Sequence, residues 1–147
     1  MPSQKRFASI SQSLAHHALS GLSYLSPHLG RAARAAAVET VTVELLAHDP
    51  FPVGLPRSEP LELALLSLRQ WFIDLLGREG FEPADVASVR LDFLFEPPEL
   101  ASGFPQPRTA TVSLQASSGR SYDVTVSDFG GASSSSVQQR HRADGAR

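Results

Sequence analysis

The chain has 147 residues, of which 41% are hydrophobic and 19% charged, as expected for one globular domain. It contains no cysteine, which excludes disulfides, thiolate nucleophiles, iron–sulfur clusters and cysteine-based zinc sites. Its formal net charge of −2 argues against nucleic acid as a partner, except through a local basic patch.

The near-neutral total hides an uneven distribution of charge. Residues 1–38 contain no acidic residue and have four basic ones, Lys5, Arg6, Arg31 and Arg34. Residues 39–99 reverse this balance, with twelve acidic residues against four arginines. The sequence therefore predicts a basic arm beside an acidic body.

Two helices are predicted in the basic arm. The first is predicted over about residues 8–25, because apolar side chains from Phe7 to Leu25 recur at three- and four-residue steps, which places them on one helical face. These residues are Phe7, Ile10, Leu14, Ala18, Leu22 and Leu25. Ser26 followed by Pro27 is typical of a helix start and predicts a second helix through Ala37. We expect this arm, residues 1–37, to pack on the rest of the domain.

A strand and a long helix follow the arm. Residues 38–47 alternate apolar and polar side chains, as a strand does, and a proline-rich loop comes next. Ser58 and Pro60 mark the start of the third helix, and Gly80 is suited to its end. Its predicted buried stripe comprises Leu61, Leu65, Leu68, Phe72 and Leu75, widened by Leu66 and Leu76.

Three more strands are predicted before the chain loses its apolar pattern. Residues 89–95, 110–116 and 122–127 each alternate with a period of two, and Gly119 favours a turn between the last two. Residues 130–147 are rich in serine, glutamine and arginine, which predicts a disordered tail. The folded domain should therefore span residues 1–129.

This order of elements predicts an α+β fold. We expect a two-layer sandwich, with two N-terminal helices and one crossover helix on one face of a four-stranded, largely antiparallel sheet. The opposite face should be polar and uncovered. It would carry Thr42, Glu44, Arg90, Asp92, Thr111, Ser113, Asp123 and Thr125.

No sequence pattern indicates a catalytic centre, a metal or a cofactor. The chain lacks a nucleophile elbow, a phosphate-binding loop and a dinucleotide motif. His16 and His17 are adjacent on a helix and point about 100° apart, which is unsuited to one metal. His48 and Asp49 precede a proline, so we interpret them as part of a turn.

Two groups of residues are candidates for binding. His16, His17, Arg31 and Arg34 lie on the basic helices, where arginines and free backbone N–H groups would suit an anion or a partner. A second candidate interface combines an aromatic residue at the edge of the core with the polar sheet face. Its members are Trp71, Arg90, Asp92, Thr111, Ser113 and Asp123.

The leading functional hypothesis is a non-catalytic protein-interaction or scaffold domain, with self-association as one form of that role. Two alternatives stay open: an enzyme that binds a small molecule or anion in a His/Arg-lined cleft, and a nucleic-acid-associated factor that uses the basic arm. No apolar run is long enough to span a membrane, and the polar residues after Lys5 and Arg6 are untypical of a secretory signal. We therefore expect a cytoplasmic protein.

Overall fold

The computed structural model describes residues 4–21, 25–95, 107–129 and 132–141. Within these ranges the α-helices are α1 (Gln4–His16), α2 (Leu25–Ala36) and α3 (Glu59–Arg78). A π-helical turn (His17–Gly21) follows α1, and a 3₁₀ turn (Pro83–Asp85) follows α3. The strands are β1 (Thr40–Glu44), β2 (Val86–Phe95), β3 (Pro107–Ala116), β4 (Arg120–Phe129) and β5 (Ala132–His141).

The sheet follows the chain order, β1-β2-β3-β4-β5, and every neighbouring pair is antiparallel. Side chains of β1 and β2 alternate between the core and the outer face, as the period of two requires. The predicted α+β class, with its two N-terminal helices and its helix between β1 and β2, is confirmed. Because β1 and β2 are antiparallel, the handedness preference for parallel crossovers does not apply.

Helix α1 forms part of the core. It packs against β3 and β4, and its side chains Ile10 and Leu14 are almost fully buried. Phe7 lies between two other rings, with centroid distances of 4.7 Å to Phe81 and 5.2 Å to Tyr122. The apolar face of the basic arm is thus buried against its own domain, although Leu22 lies outside the described residues.

Both ends of α3 follow local sequence. The Leu61 N–H donates to the Ser58 hydroxyl at 3.4 Å, which satisfies one of the free donors of the first turn. At the other end Gly80 has a φ of +84°, and the Phe81 N–H donates to the Leu76 carbonyl at 2.8 Å. Glycine adopts that left-handed conformation without steric cost. The predicted start and stop of α3 are therefore confirmed.

The first two helices differ in their limits from the sequence prediction. The regular turns of α1 stop at His16, where the π-helical turn begins, rather than continuing to residue 25. Helix α2 already begins at Leu25, so Pro27 lies inside its first turn, where its missing N–H needs no partner. Helix α2 ends at Ala36, one residue before the predicted end, and the next residue, Ala37, has a φ of 58°.

Beyond the four predicted strands, the structure has β5, paired along β4. The sequence predicts a disordered tail over 130–147, because the segment lacks the apolar alternation that indicates a strand. The pairing of 132–141 uses the backbone groups of the β4 edge, which any non-proline sequence can satisfy. Residues 130, 131 and 142–147 lie outside the described part of the chain, and there the disordered tail stays a prediction.

Candidate protein-interaction surfaces

The eight polar residues expected on the outer sheet face lie there in two cross-strand rows. The first row is Thr42, Asp92, Thr111 and Thr125, and the second is Glu44, Arg90, Ser113 and Asp123. The Thr42 hydroxyl donates to Asp92 at 2.6 Å, and the Arg90 Nε donates to the same carboxylate at 3.2 Å. The hydroxyls of Thr111 and Thr125 are 2.9 Å apart. These hydrogen bonds hold the side chains of the outer face in a fixed arrangement, and the face is accessible to water.

This geometry separates the two carboxylates that a paired acid–base site would need. Asp92 is on β2 and Asp123 on β4, so β3 lies between them, and they belong to different rows. Two strand spacings amount to about 10 Å, which is too far for the carboxylates to share a proton. The face therefore resembles a solvated contact surface more than an acid–base site.

Two of the four predicted binding residues of the basic helices, His17 and Arg31, have separate partners. The His17 imidazole stacks on the Trp71 indole, with ring centroids 3.8 Å apart and planes 5° apart. Burial lowers the pKa of His17 below its ordinary value of 6.5. The Arg31 guanidinium donates to the His28 imidazole at 2.8 Å, and Arg34 is exposed in the last turn of α2. His16 is half-buried at the end of α1.

Trp71 lies in the helical layer and not on the outer sheet face. Its half-buried indole packs against the core from α3 while it stacks on His17. The other five predicted interface residues lie on the opposite side of the sheet. The structure thus divides the predicted interface between two surfaces.

The loop between β1 and α3 contains a charged cluster that sequence reasoning did not single out. Arg57 forms ion pairs with Asp49 and Glu62, and its guanidinium lies 4.7 Å above the Phe51 ring. The Phe51 N–H donates to the Asp49 carboxylate at 3.2 Å. That hydrogen bond, together with Arg57, lowers the pKa of Asp49. This hydrogen bond from the Phe51 N–H to the Asp49 side chain spans Pro50 and forms the turn that the sequence predicts here.

The same loop encloses a cavity against α3. Its volume is about 430 Å³, and it is lined by residues 48–51 and by α3 side chains that include Leu63 and Leu66. The Arg69 guanidinium donates to the Ala47 carbonyl at 2.7 Å and so ties the loop to the helix. This cavity joins the charged cluster to an apolar surface of α3.

That apolar surface of α3 corrects one sequence prediction. The sequence predicts Leu66 in the buried stripe, but the residue is 43% exposed. Leu63 and Ile73 are exposed as well, at 57% and 36%. At 100° per residue these three side chains lie about 80° or more from Leu65 and Phe72, which turns them away from the side of the helix that faces the core. The three-residue step from Leu63 to Leu66 is the pattern that could have revealed a second stripe.

The β1 edge of the described sheet forms another recess. Strand β1 and residues 53–55 line a cavity of about 350 Å³, and Val53 is fully exposed beside it. This recess joins the outward edge of β1 to apolar side chains of the loop.

No family model, curated protein or solved structure matches the chain. Among the described residues, no group of three or more histidine, aspartate and glutamate side chains is placed to hold a metal ion. Within the same residues, no helix is both long and apolar enough to cross a membrane.

Proposed function

We propose that this protein is a non-catalytic protein-interaction domain that forms a homodimer through the outer face of α3. The observation that carries this proposal is the exposure of three large apolar side chains, Leu63, Leu66 and Ile73, on one side of a single helix. Contiguous exposed apolar surface with polar residues around it is typical of contact sites.

The three side chains share one side of the helix, with the polar Gln70 between Leu66 and Ile73. At 100° per residue, positions 63, 66, 70, 73 and 77 fall within a sector of about 80°. Gln70 lies inside this sector, between Leu66 and Ile73. Its amide donates at 3.0 Å to Asp74, which lies at the border of the sector. Gly77 has open space where a side chain would stand, which allows a close approach at that end.

A second copy suits this stripe because the charges of α3 are complementary when two such helices lie antiparallel. The first turn carries Glu59 and Glu62, and the last turn carries Arg78. Since Arg57 already pairs with Glu62, Glu59 is the acid that would face Arg78 of the other copy. Antiparallel pairing also aligns the helix dipoles favourably and satisfies two-fold symmetry.

The size of the stripe favours a weak dimer. Helix α3 has 20 residues and is about 30 Å long, so its stripe alone buries less than a standard interface. The cavity beside Leu63 and Leu66 adds apolar area on the same side. In an antiparallel pair Leu63 of one copy faces Ile73 of the other, which places an apolar side chain near each cavity. We expect dissociation in the micromolar range.

The non-catalytic part of the proposal is supported by the partners of the titratable side chains. His17 stacks on Trp71, Asp49 pairs with Arg57, and Asp92 accepts from Thr42 and Arg90. The His17–Trp71 stack and the Thr42–Asp92 hydrogen bond join different elements of the fold, and the Asp49–Arg57 pair lies within one loop. A structural role for each group accounts for its position without a reaction.

Sedimentation velocity and light scattering at micromolar concentration test the dimer. The wild-type mass should rise towards that of a dimer with concentration, and Leu66→Glu should keep it at that of a monomer. Ser13→Glu adds the same charge to an exposed site on α1 and should leave the dimer intact.

A variant of the outer sheet face separates the two candidate surfaces. If Ser113→Glu removes the dimer while Leu66→Glu does not, the interface is the polar sheet face instead of α3. A wild-type protein that stays monomeric throughout the micromolar range would overturn the proposal.

A further inference from the structure

Among the described residues, the outward edge of β1 presents backbone groups without a backbone partner next to an apolar wall. The Phe95 N–H donates to the Glu39 carbonyl at 2.8 Å, and the Leu45 N–H donates to the Val89 carbonyl at 2.9 Å. Both bonds belong to the pairing of β1 with β2, and both involve odd-numbered residues on the β1 side.

Antiparallel pairing then fixes the direction of the backbone N–H and C=O groups of the even-numbered residues of β1. Since consecutive residues of a strand direct their backbone groups to opposite sides, Thr40, Thr42 and Glu44 point theirs away from β2. The Glu44 carbonyl accepts from Ala47 in the following turn. The outward groups of Thr40 and Thr42 have no backbone partner within the part of the chain that the structure describes.

The recess beside this edge has the form of a strand-binding groove. One wall is β1 itself, and the other is formed by Val53, Gly54 and Leu55, with a cavity of about 350 Å³ between them. Val53 is fully exposed and Leu55 is half-buried, so the wall offers apolar contact to an occupant. Unpaired edge groups beside apolar contacts are the two elements of recognition by strand addition.

We propose that this groove binds an extended peptide segment of a partner protein, which adds to the sheet as a strand beside β1. The peptide should alternate apolar and basic side chains. Its apolar residues would contact Val53 and Leu55, and its basic residues would lie beside the exposed Glu44 on the polar face.

The geometry favours a single strand over a second copy of this protein. Strand β1 has only five residues, and the wall of residues 53–55 stands beside it. A symmetric edge-to-edge dimer would bring a second such wall to the same short edge. One extended peptide needs only the space of the groove.

A peptide of alternating valine and lysine residues is the probe, and amide hydrogen exchange is the measurement. The peptide should bind saturably and slow the exchange of the Thr40 and Thr42 amides by at least about tenfold. The control is the same peptide with alternate backbone nitrogens methylated. It has the same charge but cannot donate hydrogen bonds to β1, so it should not slow the exchange of the Thr40 and Thr42 amides.

Two protein variants complete the test. Thr42→Pro removes an outward N–H without touching a backbone bond to β2, and it should weaken binding about tenfold. Thr42→Val loses the same hydroxyl bond to Asp92 but keeps the N–H, so it should bind like the wild type. If Thr42→Pro fails to fold, Val53→Asp removes the apolar wall outside the strand and should weaken binding as well. Leu66→Glu should bind the peptide like the wild type, which separates this proposal from the α3 dimer.

Three outcomes would overturn the proposal. The first is no binding, and the second is equal binding of the methylated peptide. The third is concentration-dependent protection of Thr40 and Thr42 in the absence of peptide, which would assign the edge to a second copy.

Discussion

The imidazole of His17 lies flat on the indole of Trp71, with ring centroids 3.8 Å apart. The contact joins the π-helical turn after α1 to the middle of α3. It therefore links the basic arm to the helix that carries the exposed apolar stripe. Because Trp71 is the only tryptophan of the chain, its fluorescence reports on this junction alone.

The stack makes His17 a source of pH-dependent stability. Burial lowers its folded-state pKa below 6.5, so the folded protein binds a proton less readily than the unfolded chain. The contribution of His17 to the free energy of unfolding is therefore complete above 6.5, the pKa in the unfolded chain. It is lost as the pH falls through the lowered pKa of the folded state. Trp71 fluorescence and the His17 ring resonances should therefore titrate with a midpoint below 6.5.

His17→Phe is the control for this titration, because it keeps a ring over Trp71 and removes the proton. Its denaturation midpoint should fall less than that of the wild type between about pH 8 and about pH 5. Equal losses in the two proteins would assign the pH dependence to another group.

Ser11 on α1 is buried, and its hydroxyl has no hydrogen-bond partner among the described residues. Ser11→Ala should raise the free energy of unfolding by about 1 to 2 kcal/mol, because it removes an unsatisfied buried group and improves helix propensity. Ser13→Ala, at an exposed site of the same helix, should gain only about 0.5 kcal/mol. Equal gains in urea denaturation would mean that the hydroxyl is already satisfied.

Ala37 ends α2 in a left-handed conformation, with a φ of 58°. The Val38 N–H donates across it to the Ala33 carbonyl at 3.1 Å, as in a glycine-terminated helix. Ala37→Gly should therefore stabilise the domain by about 0.5 kcal/mol despite the added freedom of the unfolded chain. Ala35→Gly, inside the same helix, should destabilise it by about 1 kcal/mol. If thermal unfolding shows that both variants are stabilised or that both are destabilised, the left-handed conformation of Ala37 would be contradicted.

Leu14 tests whether the basic arm belongs to the core. Its side chain is fully buried, so Leu14→Ala should lower the free energy of unfolding by about 3 kcal/mol. Val53→Ala, at a fully exposed site, should change it by less than about 0.5 kcal/mol. Deletion of residues 1–38 should abolish cooperative unfolding, and a folded truncated protein would show that the arm is dispensable.

Much of the fold follows from local pattern. The stripe of Phe7, Ile10 and Leu14 predicts a helix with one buried face, and this face packs against β3 and β4. Gly119, with a φ of 102°, ends the turn between β3 and β4 as its position in the sequence predicts. The polar sheet face could be predicted because alternation fixes the side of each residue once one face is buried.

The positions of the candidate surfaces could not be predicted from the sequence, because they depend on long-range packing. A helical period shows that Leu65 and Leu66 lie on different sides of α3, but not which side the rest of the protein covers. Likewise, the stack of His17 on Trp71 and the pairing of Arg57 with Asp49 join segments whose distance in space no local pattern fixes. Periodicity in the sequence thus determined the elements and their faces, because side-chain direction is set by the local backbone. Within the described residues, the tertiary structure alone decided which apolar face is exposed and which backbone groups of β1 lack a backbone partner, because both depend on what the other elements cover.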